Sequence, residues 1–257
     1  MERRIPPSSF TTLTTLLRAE LSAYIRGSRT LVWTVLVPLP ILVLGELQVP
    51  PRLRHQAAPT LEIAALAVTT GIFALGLFGY ANTLATYRER GVFQRLRCTP
   101  APPWQIVGAR LLVELLGILA QTLVILAAAQ LGYGIVPPWP GTGLAIVAIA
   151  LTGLVALALG ATVVAVTPSA ASVTAVSRFL LLALFLLEGA LISVQAWPMW
   201  LRRVAAWTPV RLALRLTTAA LVHQHWDARD VRSFVGLLAW FAVLSYVGLT
   251  RFRWQTE

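Results

Sequence analysis

Residues 143–166 read GLAIVAIALTGLVALALGATVVAV and contain no charged side chain. An α-helix needs about 20 apolar residues to cross the hydrocarbon core of a bilayer, which is about 30 Å thick. The run is continuous and lacks the period-two alternation of a lipid-facing strand, which favours a helix over a barrel strand. We therefore predict a membrane-spanning helix over about 143–166.

Further apolar runs of similar length lie on both sides, each bounded by Arg, Pro or Gly clusters. They cover about 30–49, 61–84, 105–133, 174–195 and 233–250. The composition agrees, because 57% hydrophobic and 12% charged residues fall outside the usual range of a water-soluble domain. The sequence predicts an all-α integral membrane protein with six transmembrane helices, folded as a single transmembrane domain over 1–257.

Two amphipathic segments accompany the predicted spans. Over about 8–27, apolar side chains recur at spacings of three and four, which is typical of a helix lying along the membrane interface. Residues 197–222 are rich in Trp and Arg and divide at Thr208 and Pro209, where threonine can cap a helix and proline suits its first turn. We predict two short helices there, an outer hairpin before the last span.

The segment RERGVFQRLRCTPAPPW, residues 88–104, separates the second and third spans. Val92, Phe93 and Leu96 form a small apolar face surrounded by charge, and the following prolines end the helix. An arginine-rich inner loop is the plainer alternative. Charge alone does not require an apolar stripe, so we predict a short amphipathic docking helix over about 88–98.

The net charge is +11, and all 21 basic residues are arginine. In a chain this apolar, arginines near span ends favour membrane lipid headgroups as partners over nucleic acid. With the N-terminus in the cytoplasm, 13 arginines fall on the inner side and 8 on the outer side. This bias predicts a multi-pass protein with both termini in the cytoplasm.

The sequence shows neither an energy source nor catalytic machinery of its own. Because it has no lysine, it cannot form a Walker A motif, and any ATP dependence requires a separate subunit. HExxH and nucleophile-elbow sequences are absent, so we predict no enzyme activity and no catalytic residue. His223 and His225 lack a third ligand and Cys98 is the single cysteine, so we predict no metal site.

Residues 87–112, YRERGVFQRLRCTPAPPWQIVGARLL, resemble the signature of the membrane permeases of type-2 ATP-binding cassette (ABC) exporters. In that family an Arg-Glu-Arg-Gly start leads to a Leu-Arg-x-Thr-Pro end before the third span. Residues 188–221 are similar to the family's last outer segment, although Thr208 stands where an asparagine is common. The resemblance covers the six-span plan from end to end.

The resemblance implies a permease subunit of a bacterial-type plasma membrane. The helix over about 88–98 would be the coupling helix that a cytoplasmic nucleotide-binding ATPase subunit holds, with residues 167–172 as a second, smaller contact. ATP and Mg²⁺ would bind to that ATPase, this chain would hold no cofactor, and a second permease half, identical or homologous, would complete the pore. The implied coupling residues are Arg88, Glu89, Arg90, Gly91, Phe93, Arg95, Leu96 and Arg97.

Glu188, beside Gly189 near the outer end of the fifth span, is the evident buried acid. A charged acid at that depth is costly unless it is hydrated or paired, so it either contacts substrate or pairs with an outer arginine. The apolar spans favour a hydrophobic or amphipathic cargo, drug or lipid, moved outward by alternating access. Two alternatives stay open: an ion-coupled carrier using Glu188 and Glu114, and a membrane scaffold that binds a non-ATPase partner.

Overall fold

The chain folds as a bundle of helices in the computed structural model. The structure describes residues 17–18, 20–22, 24, 37–50, 56–92, 103–134, 142–189 and 197–251. In these ranges all the regular secondary structure is helical, which confirms the predicted all-α class.

The helices of the described residues are numbered here in chain order. They are α1 (Pro38–Gln48), α2 (Ala57–Glu89), α3 (Pro103–Tyr133), α4 (Thr142–Val166), α5 (Ala170–Glu188), α6 (Met199–Ala206), α7 (Pro209–Thr218) and α8 (Ala228–Arg251). Of these, α2 to α5 and α8 are long and apolar enough to span a membrane. They correspond to five of the six predicted spans, and α1 lies within the first.

Two predicted regions are described only in part. Residues 30–36 of the first predicted span lie outside the described residues, and so does most of the predicted interfacial helix over 8–27. The described residues of that helix, between 17 and 24, are helical. One of them, Tyr24, is buried against α3 beside Gly117.

Helix α5 differs from its predicted bounds of 174–195 at both ends. It begins at Ala170, because Ser169 is extended and its hydroxyl accepts a hydrogen bond from the Ser172 N–H at 3.2 Å. It ends at Glu188, because Gly189 adopts the left-handed conformation with φ 90°. Two cap positions therefore decide the length of this helix.

The two predicted outer helices over 197–222 are α6 and α7, and a π-helical turn over Ala219–His223 follows. Pro209 occupies the first turn of α7, as predicted. The predicted side-chain cap by Thr208 is wrong, because its hydroxyl donates to the Ala205 carbonyl at 2.7 Å instead. Thr208 therefore closes α6, while its extended backbone starts α7.

Helix α4 lies at the centre of the bundle and packs against α2, α3, α5, α7 and α8, most extensively against α8. Its small residues allow this close approach. A Cβ added to Gly76 of α2 would lie 2.6 Å from the Ala156 carbonyl oxygen, and one added to Gly160 would meet the Gly76 oxygen. The Thr162 hydroxyl donates to the Leu244 carbonyl at 2.8 Å, which ties α4 to α8.

The contact with α4 lies where α2 is π-helical, over Leu75–Tyr80. A π-helical turn disturbs the regular hydrogen bonds of the backbone. Asn82 compensates, because its side-chain amide donates to the Phe78 carbonyl at 3.0 Å. The α2 helix therefore continues to Glu89 with its irregular turn held against α4.

We expect Gly160→Ala to destabilise the bundle relative to Gly108→Ala. Both substitutions gain the helix propensity of alanine, but only the first places a methyl group against backbone, while Gly108 has open space around its α-carbon. The difference in unfolding free energy should be about 1 to 3 kcal/mol. Thermal unfolding of the detergent-solubilised chain measures it, and equal melting temperatures would contradict the close α2–α4 contact.

Candidate functional site

Helix α2 ends in the conspicuous Arg-Glu-Arg-Gly sequence. Arg88 and Glu89 are its last residues, Arg90 closes the final turn, and Gly91 leaves the helix with φ 63°. The predicted helix over 88–98 therefore begins too early, because Arg88 and Glu89 belong to the spanning helix. Phe93, Arg95, Leu96 and Arg97 lie outside the described residues.

The Arg88 side chain points into the protein, with 7% of its surface exposed. Its Nη1 donates a 2.6 Å hydrogen bond to the Val164 carbonyl, in the last turn of α4. Carbonyls in that turn lack helical partners and carry the negative end of the helix dipole, so a guanidinium stabilises them. Within the described residues, Nε and Nη2 of Arg88 have no hydrogen-bond partner.

The Glu89 side chain caps the start of helix α5. Its Oε1 accepts a 2.6 Å hydrogen bond from the Ala170 N–H, the first residue of α5. N–H groups in a first helical turn lack partners and carry the positive end of the dipole, so a carboxylate stabilises them. Glu89 thus acts as a second cap on α5 beside Ser169.

Arg88 and Glu89 together therefore hold both sides of the turn between α4 and α5. We call these two residues, with the Val164 carbonyl and the Ala170 N–H, the Arg-Glu clamp. The clamp joins the start of the predicted coupling segment to the 167–172 region. Arg90 is exposed beside it and Gly91 is half-buried.

Glu188 lies at the opposite end of the bundle, where three helices meet. Its carboxylate is buried and accepts a hydrogen bond from the Thr70 hydroxyl of α2 at 2.5 Å. Arg211 of α7 donates from Nη1 to the Glu188 carbonyl oxygen at 2.8 Å. Burial lowers the pKa of Arg211, and the nearby Glu188 carboxylate opposes that change.

Arg110 of α3 forms two ion pairs that the sequence did not predict. Its Nη1 lies 2.9 Å from Glu20 Oε2 in the N-terminal helix, and its Nη2 lies 2.5 Å from Glu114 Oε1. The Tyr87 ring centroid lies 5.8 Å from the same guanidinium. The spacing of four between Arg110 and Glu114 could have predicted their pair on one helix face, but no local signal points to Glu20.

Charged residues also surround a cavity of about 460 Å³ between α7 and α8. The Arg215 Nε–H donates a hydrogen bond to Asp230 Oδ1 at 2.8 Å, which also makes the two residues an ion pair. Asp227 and Asp230 cap the start of α8 reciprocally, since the Asp227 carboxylate accepts from the Asp230 N–H and the Asp230 carboxylate accepts from the Asp227 N–H. His223 lines the cavity. The His225 ring nitrogen Nδ1 lies 2.7 Å from the His223 carbonyl.

Long apolar helices and a set of buried, mutually bonded charges define a multi-pass membrane domain. The family model described as ABC-2 type transporter matches residues 11–222, which is more than half of the 257 residues. The chain therefore belongs to the ABC-2 type transporter family, and the resemblance found in the sequence is confirmed. Comparison with curated proteins gives no match.

Membership of this family makes the chain the transmembrane, non-catalytic component of an ABC transporter. Such a component works with an ABC ATPase, which accords with a sequence that has no lysine for a Walker A motif. The Arg-Glu clamp lies within the matched residues, and so does the junction of Glu188, Thr70 and Arg211.

The cap at Asp227 predicts acid sensitivity at the start of α8. The hydrogen bond from the Asp230 N–H holds the pKa of Asp227 below its ordinary value of 3.8. A carboxyl whose pKa is lowered by folding stabilises the protein above its unfolded-state pKa, and this contribution is lost as the pH falls through the folded-state pKa. We expect the wild-type melting temperature to fall below about pH 4.

The matched variant is Asp227→Asn, which keeps a capping oxygen without the titration. Its melting temperature should lie below that of the wild type at pH 6, and the gap should narrow toward pH 3. A gap that stays constant over this range would contradict the assigned role of Asp227.

Proposed function

We propose that the chain is one transmembrane half of an ATP-driven exporter, with its Arg88 end in the cytoplasm. The Arg-Glu clamp is the observation that carries this proposal, together with family membership. An ATPase that moves the segment after Gly91 would move the end of α2. The clamp would pass this motion to the ends of α4 and α5.

The residues of the segment divide into two roles under this proposal. Arg88 and Glu89 hold the helix ends and are positioning residues. Exposed Arg90, together with Gly91, Phe93, Arg95, Leu96 and Arg97, forms the surface that the ATPase subunit contacts. Phe93 is the anchor, since a buried aromatic side chain commonly dominates the energy of such a contact. Residues 167–172 form the second contact, directly beside the first.

The distribution of arginines supports the proposed orientation. With the Arg88 end inside, both termini lie in the cytoplasm and most arginines face the inner surface of a bacterial-type plasma membrane. Residues 30–49 complete the six spans, and α6 and α7 lie at the outer leaflet. Exposed Trp200 and Trp207 suit that interface, where an indole keeps its ring in the apolar layer.

A second permease half, identical or homologous, completes the pore, and ATP and Mg²⁺ bind to the ATPase subunits alone. The cargo is hydrophobic or amphipathic, a drug or a lipid, and moves outward by alternating access. Glu188 belongs to the outer part of the pathway. In support, its Oε1 meets no donor among the described residues, and its backbone carbonyl accepts a hydrogen bond from Arg211 of the outer hairpin helix α7.

The contact role of Phe93 and the positioning role of Glu89 predict different effects when each residue is replaced by alanine. Phe93→Ala should weaken binding of the co-expressed ATPase subunit by about 30-fold, as expected for loss of an interface anchor. Glu89→Ala should leave binding within about threefold, because Glu89 acts through the Ala170 N–H. It should instead lower the cargo moved per ATP hydrolysed in proteoliposomes.

Phe234→Ala, the same change at the opposite end of the bundle, is the matched control and should leave ATPase binding unchanged. Pull-down of the solubilised complex measures binding, and vanadate-sensitive hydrolysis with cargo flux measures coupling. Transport by the chain alone, driven by an ion gradient, would contradict the proposed function and favour a carrier based on Glu188.

A further inference from the structure

Arg178 is an exposed charge inside a spanning helix. It lies eight residues beyond Ala170 in α5, which places its α-carbon about 12 Å along the helix axis. Among the described residues it makes no hydrogen bond or ion pair. A charged side chain at such a depth normally faces a partner or a polar pathway, because hydrocarbon does not stabilise it.

Polar side chains continue from Arg178 toward the Arg88 end of the bundle. Thr174, one turn earlier on the same face of α5, donates to the Asn82 side-chain oxygen at 2.6 Å. Thr86, one turn along α2 from Asn82, donates to the Asn82 carbonyl at 2.8 Å. We call these four residues the polar seam between α2 and α5, and Arg178 is its exposed, cationic end.

None of the described acids forms an ion pair with Arg178. Three described carboxylates nearest the Arg88 end are already engaged, Glu20 and Glu114 by Arg110 and Glu89 by the Ala170 N–H. The other described acids belong to the opposite end: Glu46, Glu62, Glu188, Asp227 and Asp230. Each described carboxylate at the Arg88 end is therefore already bonded to another group of this chain.

The surroundings of Arg178 suit an amphiphile. Side chains on a helix point toward its N-terminus, so the guanidinium reaches back about one turn, to the level of Thr174 and toward the membrane surface. In the other direction along α5, Phe179 and Leu182 are 76% and 54% exposed. A charged headgroup at Arg178 and an apolar chain along these residues would match both surfaces.

We propose that the polar seam binds the anionic headgroup, phosphate or carboxylate, of an amphiphile in the leaflet at the Arg88 end. Arg178 supplies the charge and Thr174 with Asn82 supplies the polar wall. This inference rests on the proposed function only in assigning that leaflet to the cytoplasmic side. It makes Arg178 the residue that determines which headgroup charge the polar seam accepts.

Lipid binding to the purified full-length chain tests the seam without an ATPase. The probes are fluorescent phosphatidylglycerol, which is anionic, and fluorescent phosphatidylcholine with the same chains, which is zwitterionic. The wild type should prefer the anionic probe by about 10-fold to 100-fold, as expected for a charge-assisted hydrogen bond. Arg178→Gln should abolish that preference, and Arg178→Lys should retain part of it.

Arg251→Gln is the matched control, because Arg251 is also exposed near the Arg88 end but lies on α8. It should retain the anionic preference. If Arg178→Gln keeps the preference, or if Arg251→Gln loses it equally, anionic lipid is attracted by general surface charge and the proposal is overturned. Neither outcome depends on whether the chain exports anything.

Transport by the complex with its ATPase subunit then distinguishes a cargo from a resident lipid. If Arg178→Gln loses flux of lysophosphatidylglycerol while flux of lysophosphatidylcholine is unaffected, the polar seam binds anionic cargo. If Arg178→Gln loses lipid binding while flux of both lipids is unchanged, the polar seam binds a resident lipid headgroup. Both results support an anion site at Arg178, and absence of any flux in the wild type would count against the proposed function only.

Discussion

Two helix ends that meet at one turn set the main electrostatic requirement of this bundle. The α4 helix ends at Val166 and α5 begins at Ala170, so unpaired carbonyls and unpaired N–H groups lie within a few residues of each other. The neighbouring residues Arg88 and Glu89 satisfy both sets of groups: the guanidinium donates to a carbonyl of α4, and the carboxylate accepts from an N–H of α5. A single pair of adjacent side chains thereby fixes the end of α2 against the turn between its two neighbours.

The same three helices are joined along their length and at their other end. The π-helical turn of α2 lies against the small residues of α4, and the Thr70 hydroxyl of α2 reaches the Glu188 carboxylate of α5. Arg211 adds α7 to this junction through the Glu188 carbonyl. A displacement applied at the clamp therefore has a continuous, packed route to the far end of the bundle, as the proposed alternating access would require.

Sequence reasoning predicted what depends on local composition and missed what depends on distant partners. Apolar runs gave five spanning helices close to their positions, and Pro209 marked the start of α7 correctly. The sequence places Arg88 and Glu89 in a separate surface helix, because their partners are about 80 residues away and an apolar stripe among charges before proline is typical of a short amphipathic helix. Thr208 was misassigned for a similar reason, since one hydroxyl can serve either of two adjoining helices.

A double-mutant cycle between Glu89→Ala and Ala170→Pro tests the clamp most directly. Proline at the first position of α5 removes the N–H that Glu89 contacts, and the extended Ser169 tolerates a following proline. Unfolding free energies of the solubilised chain should show a coupling of about 1 to 2 kcal/mol. The same cycle with Glu62→Ala at the opposite end should show none. Additive effects of Glu89→Ala and Ala170→Pro would contradict the clamp, and with it the proposed route from the coupling segment into the bundle.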